Sequence, residues 1–100
     1  MEVNGVHFDE GKLSEFCQRH GIRNLALFGS ILSDHFGPAS DVDFLVEFKP
    51  DQRVSLFDIG GMIVELSELI GRQVDLRTPR DLSRYFREDV IRTARPLYAA

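Results

Sequence analysis

Two aspartates one residue apart, Asp41-Val42-Asp43, are the side chains in this sequence best placed to do chemistry. Side chains alternate along a strand, so both carboxylates fall on one face, roughly 7 Å apart at Cα. Two anions held that close repel each other unless a cation sits between them. Mg²⁺ suits such a site, because it takes carboxylate and phosphate oxygens in an octahedron. A bare Asp-x-Asp by itself reads as a solvated strand face. The FLVEF that follows is too apolar for a freely solvated edge and sets the aspartates at the rim of a core element. Asp75, in the run VDL, reads alone as a polar residue in a short strand. Where its strand lies beside residues 41–48, it completes a three-carboxylate site. Three carboxylates can hold two Mg²⁺ ions about 3.5–4 Å apart, one at the attacking oxygen and one at the leaving group. Gly29-Ser30 closes an apolar run. Glycine lets the backbone approach a bulky anion, and the amides that follow can point at phosphate oxygens. The Ser30 hydroxyl adds a donor. Alone, this pair reads as a turn.

The elements that must position these residues follow from pattern. Residues 9–20 read as a helix capped by Asp9, with Leu13, Phe16 and Cys17 on one face and Gly21 as its stop. Ile22–Phe28 reads as a strand, and Ile31–His35 as a short helical turn before a Gly/Pro loop at 36–40. Asp41–Phe48 is the clearest strand, with Val42, Phe44, Val46 and Phe48 on one face and Asp41, Asp43, Leu45 and Glu47 on the other. Val54–Ile70 reads as a helix with Leu56, Ile59, Ile63, Leu66 and Ile70 apolar. Gly60-Gly61 weakens it by about 1 kcal/mol per glycine, and the pair suggests close packing. Gln73–Arg77 reads as a strand. A last helix opens at Thr78-Pro79-Arg80-Asp81, carries Leu82, Phe86, Val90 and Ala94, and ends at Pro96. The expected fold is α/β (α+β): a small mixed sheet of about three strands flanked by helices, in one domain over residues 1–100.

Composition bounds the function. One hundred residues fit one domain and leave no chain for a separate substrate domain. A net charge of −4 argues against holding nucleic acid by a general positive field. Charge is uneven: seven arginines fall in residues 72–95, whereas the first fifty residues hold eight acids against four bases. That places an acidic site in the first half and an anion or partner surface near the C-terminus. Cys17 is the only cysteine, the opening MEVNGVHFDE lacks a basic stretch followed by an apolar one, and no run approaches the ~20 residues of a membrane helix. The expected setting is the cytoplasm, without membrane association.

Taken together, LFGSILSDHFGPASDVDFLVEF resembles the nucleotidyltransferase superfamily of the DNA polymerase β type. Its hallmark is Gly-Ser, ten residues, then Asp-x-Asp, and residues 29–43 match that spacing without a gap. The likeness covers nearly the whole chain. The segment Leu56–Leu76, ending in GRQVDL, is similar to the third-carboxylate region of the small prokaryotic branch. That branch is the minimal nucleotidyltransferase (MNT) domain, often the antitoxin partner of a HEPN ribonuclease toxin. The resemblance implies phosphate contact at Gly29 and Ser30, metal ligation at Asp41, Asp43 and Asp75, and Asp75 as candidate base. It implies Mg²⁺ (two ions), ATP as substrate, and transfer of AMP to a hydroxyl, a tyrosine on a HEPN-type toxin. Two alternatives stand beside it: an antitoxin that neutralises by binding alone, and one subunit of a two-chain small-molecule nucleotidyltransferase. Homo- or hetero-oligomers fit each. One departure matters: many relatives carry a basic residue shortly after Gly-Ser, but Ile31-Leu32-Ser33 has none, and no Arg or Lys lies between Ser30 and Asp41. The missing cation would come from Arg77, Arg80 or a partner.

Other residues read as structural. His7, His20 and His35 show no metal-ligand spacing, and Glu47 reads as solvent-facing. Arg80, Arg84 and Arg87 at i, i+4, i+7 form one side of the last helix, either solvated or a surface for an acidic partner or triphosphate.

Overall fold

The computed structural model describes all 100 residues. The chain opens with a hairpin, β1 (Glu2–Val3) and β2 (Val6–His7). Its turn is Asn4-Gly5, at φ 50° and 84°. A two-residue turn with both φ positive matches the twist of the strands it joins, and Asn-Gly is its preferred sequence. The pattern reading gave residues 1–8 no element. Helix α1 (Glu10–Arg19) follows, and the Asp9 carboxylate accepts from the Lys12 main-chain N–H at 3.0 Å. Then come β3 (Ile22–Phe28), a 3₁₀ turn at Gly29–Leu32, β4 (Val42–Phe48), α2 (Leu56–Ile70) and β5 (Val74–Arg77). Ser55 and Asp58 cap α2 reciprocally, and Gly71 ends it in the left-handed conformation.

The main sheet has four strands in the order β5-β4-β3-β6, where β6 is Arg95–Ala99. β3 is antiparallel to β4 and β6, and β4 is parallel to β5. This is the expected mixed α/β architecture with one strand more than expected, plus the hairpin. The extra strand changes the reading of the C-terminus. Pro96 does not merely stop a helix; it lies inside β6, an edge strand, where a missing N–H is tolerated. The long final helix expected from Thr78 is a 3₁₀ turn at Pro79–Asp81, an irregular stretch, and a short α3 (Arg87–Thr93). Thr78 and Asp81 do form their cap, with the Asp81 carboxylate accepting from the Thr78 N–H and hydroxyl at 3.0 Å each. Too few apolar positions pack inward after it to propagate a helix. Arg80, Arg84 and Arg87 therefore do not share one helix face.

Alternation in β4 sets the core. Val42, Phe44 and Val46 are fully buried on one side, with Leu25 and Leu27 of β3. Phe8, Leu13, Phe16, Cys17, Met62 and Leu66 close over them from the hairpin side, α1 and α2. Phe8 meets Phe44 edge-on, with centroids 6.2 Å apart. Each such side chain contributes about 1.5–3 kcal/mol by leaving water. Burial pushes the Cys17 thiol up to about 12, which makes it an inert part of this core. The other side of β4 presents Asp43, Leu45 and Glu47. Leu56, expected on the apolar face of α2, is 88% exposed, and Met62 takes the buried place.

Candidate active site

The parallel register of β4 and β5 places Asp43 directly opposite Asp75. The register is fixed just upstream, where the Val42 N–H donates to the Gln73 carbonyl at 2.9 Å. The condition left open by the sequence, that the VDL strand lie beside 41–48, is met. Asp41 stands exposed one residue before β4 begins. Burial pushes the Asp43 carboxyl above the usual carboxylate range, and the charges of Asp75 and then Asp41 push it further. Arg77 acts in the opposite sense. Arg77 Nε donates to Asp75 Oδ2 at 3.0 Å, so Asp75 is held in an ion pair.

Gly29 lies on the other flank of Asp43. Phe28, the last residue of β3, is the register partner of Asp43, and Gly29 begins the 3₁₀ turn at φ 79°. A Cβ at Gly29 would overlap Asp43 Oδ2. Both the left-handed backbone and the close approach require glycine here. Ser30 is half-buried; its carbonyl accepts from the Ser33 N–H at 2.9 Å and from the Ser33 hydroxyl at 2.8 Å. The turn is also fixed from outside: Asn4 Nδ2 donates to the carbonyls of Ile31 (3.0 Å) and Ser33 (2.9 Å).

Two residues that position the site carried no signal in the motif. Asn4 is one. Arg72 is the other: its Nη2 donates to the carbonyls of Gly37 and Ser40, each at 2.8 Å, and its guanidinium lies 4.5 Å from the centroid of the Phe36 ring. Arg72 thereby ties the loop leading into Asp41 to the end of α2. Both side chains act on main-chain carbonyls, which side-chain spacing cannot reveal.

Asp43 and Asp75 open into a cleft of about 280 Å³, walled by Phe28, Leu82 and Phe86 and lined further by Arg77 and Ser83. Asp81 borders it but is committed to Thr78. The donor set is all oxygen and its members repel one another, which is the chemistry a hard divalent cation relieves. As the side chains stand, no three carboxylates are close enough to grip a single ion. The structure brings Asp43 and Asp75 together, sets Asp41 at the rim, and leaves Asp75 engaged with Arg77.

A four-stranded mixed sheet with Gly-Ser at one strand end and facing aspartates on the next two strands defines a nucleotidyltransferase fold. Residues 10–98 match the nucleotidyltransferase domain family, and the chain belongs to that family. It is similar to the "Putative protein adenylyltransferase MJ0435" of Methanocaldococcus jannaschii, 29% identical over 94% of this chain and 96% of that protein. A solved "putative minimal nucleotidyltransferase" is 32% identical, with TM-score 0.68 over 90% of this chain and 97% of that one. A toxin-antitoxin structure with AMP-PNP shares the fold at TM-score 0.72 and 19% identity, covering 93% of this chain and 75% of that one. So does the tri-AMPylated Shewanella oneidensis HEPN toxin in complex with MNT antitoxin, at TM-score 0.64 and 19% identity over 91% and 70%. The chain is thus a nucleotidyltransferase, and no helix in it is long and apolar enough to cross a membrane.

Proposed function

We propose that residues 1–100 form a single minimal nucleotidyltransferase domain that moves AMP from ATP to a tyrosine hydroxyl of a partner protein in the cytoplasm. The partner would be a HEPN-type helical toxin silenced by the modification. The observation that carries this reading is the pairing of Asp43 with Asp75 beside Gly29. The names of the relatives support it: one for protein adenylylation, another for an AMPylated toxin bound to its antitoxin. A hydroxyl brought by a partner protein agrees with those names.

In this mechanism Asp41, Asp43 and Asp75 would hold Mg²⁺, two ions in the proposed full site. The metal would supply charge neutralisation of the triphosphate and a lowered pKa for the acceptor hydroxyl. Gly29 lets the triphosphate come up to the end of β3, with Ser30 as a donor. Asp75 takes the acceptor proton once Arg77 leaves it for a phosphate oxygen. The acceptor oxygen bonds to the α-phosphorus as the bond to the β-phosphate bridge breaks, and pyrophosphate departs. Phe28, Leu82 and Phe86 keep water off the reacting atoms.

One observation favours a second reading. A carboxylate already paired with Arg77 is not a free base, which suits an antitoxin that neutralises by covering alone. Mass spectrometry of the partner after incubation with ATP and Mg²⁺ decides. Transfer predicts added adenylate with the wild-type chain and none with Asp43→Ala. An Asp43→Ala chain that fully neutralises an unmodified partner overturns transfer as the basis of function.

A further inference from the structure

We propose that the chain also modifies itself: Tyr85, at the rim of the cleft that Asp43 and Asp75 open into, takes AMP from ATP within the same molecule. This rests on the transfer of AMP to tyrosine proposed above. Residues 83–86 form a tight turn, closed by the Phe86 N–H donating to the Ser83 carbonyl at 3.2 Å. The first and last residues of that turn, Ser83 and Phe86, line the cleft. Tyr85 stands at its apex, one residue from the wall, and is 83% exposed. The backbone beneath it is fixed. Leu82 is buried, its carbonyl accepts from Arg87 Nη2 at 3.0 Å, and the Tyr85 N–H donates to the Ser83 hydroxyl at 3.3 Å. The ring is not fixed. Its hydroxyl has one hydrogen bond, from Arg84 Nη2 at 3.3 Å, and the same guanidinium lies 5.2 Å from the ring centroid. Such an exposed contact between neighbours is weak, and exposed side chains change rotamer fast. That rotation swings the hydroxyl from Arg84 toward the cleft without moving the chain.

Other hydroxyls are worse placed. Tyr98, the second of two tyrosines, lies half-buried in β6 and packs against the core. It borders a different hollow, beside Leu45 and Ile91. Ser83 lines the cleft itself, but its short side chain is bonded to the Tyr85 N–H. An alkanol also gives up its proton far less readily than a phenol. Holding nucleotide and acceptor on one molecule makes the encounter unimolecular, which raises the effective concentration of the acceptor. In the step, the Tyr85 oxygen bonds to the α-phosphorus of ATP as the bond to the β-phosphate bridge breaks. Pyrophosphate leaves, and the phenolic proton passes to Asp75. The product is an adenylyl ester of Tyr85, and no reactant beyond ATP is consumed.

Intact mass spectrometry of the full chain, incubated alone with ATP and Mg²⁺, tests this, with peptide sequencing to place the adduct. We expect one adenylate on Tyr85, none on Tyr98, and a rate per molecule that is the same at every protein concentration. Tyr85→Phe should lose the adduct and keep its fold, since one exposed hydroxyl is removed. Asp43→Asn should lose it with Tyr85 intact. Mixing the two variants should leave both unmodified, because acceptor and working cleft are then on different molecules. An adduct on Ser83 or Tyr98, one that survives Asp43→Asn, or modification in the mixture overturns the proposal. N-acetyltyrosinamide, offered in parallel as a free acceptor, separates two kinds of failure. A chain that adenylates the amide and not itself overturns self-modification and leaves transfer to tyrosine standing. A chain that modifies neither loses both for the isolated protein.

Discussion

Gly29 and Asp43 occupy one space: the carboxylate of Asp43 fills the position a side chain at residue 29 would need. Glycine here seats the Asp43 carboxylate, and in the proposed function it also leaves the end of β3 open to a phosphate. Gly29→Ala should cost about 1–3 kcal/mol, from a non-glycine residue at φ 79° and a displaced carboxylate. Transfer should fall by about 10²-fold or more. Thermal melting and adenylate transfer measured on the same preparation check this. An alanine variant as active as wild type would separate Gly29 from the site.

Asp43 is raised by burial first and by its carboxylate neighbours second. Neutralising it should stabilise the metal-free protein, by about 1 kcal/mol, since it removes a repelled, part-buried charge. Mg²⁺ should raise the melting temperature of the wild type through mass action, and Asp43→Asn should lose that response. Calorimetry with and without Mg²⁺ reads both. A variant whose melting still rises with Mg²⁺ as the wild type does would place the metal elsewhere.

Arg77 opposes the negative charge at the cleft and is bonded to Asp75. It can supply the cation missing from Ile31-Leu32-Ser33. Arg77→Met should weaken ATP binding about tenfold, within the range of a lost charge-assisted hydrogen bond, and Arg77→Lys should recover part of it. Titration calorimetry with ATP and Mg²⁺ measures this. Tighter binding in Arg77→Met would mean that Arg77 guards Asp75 rather than receiving phosphate.

Glu65 joins α2 to α1. It accepts from Arg19 through both carboxylate oxygens and meets His20 Nε2 at 3.0 Å. The Arg19 hydrogen bond, more than the His20 contact, holds its carboxyl below the usual range. The folded value lies below the unfolded value of about 4.5, so its stabilisation is present above that value. It is lost as pH falls through the folded value. Glu65→Gln should cost about 1 kcal/mol at pH 7 and flatten the acid limb of the stability curve. Denaturant melts from pH 7 down to about 3 test it; parallel wild-type and variant curves would contradict it.

The sequence was legible where one physical rule acted alone. Period-two alternation exposed β4, and the Asp9 cap with its following apolar face exposed α1. The nucleotidyltransferase resemblance rested on a spacing that the register of β3, β4 and β5 explains. Legibility failed where two rules competed. Thr78-Pro79-Arg80-Asp81 is a good helix start, but few residues after it pack inward, so only a turn forms. Pro96 reads as a stop unless the strand is known to be an edge. The pattern gives residues 1–8 no element although Asn4-Gly5 is a favoured turn sequence, because two-residue strands fall below what alternation can detect. Asn4 and Arg72 reach the site through main-chain carbonyls, and no side-chain motif encodes that.

Pro96 has one more consequence. An open sheet offers neighbouring chains a free rim of amides and carbonyls on which to extend it, the route by which folded domains stick into fibres. In β6 that rim is interrupted by a residue without an amide hydrogen, flanked by the bulge between Leu25 and Ala26. The outer edge of the sheet is blunted against a stray strand. Copies of this protein that meet at that edge find no continuous ladder to join.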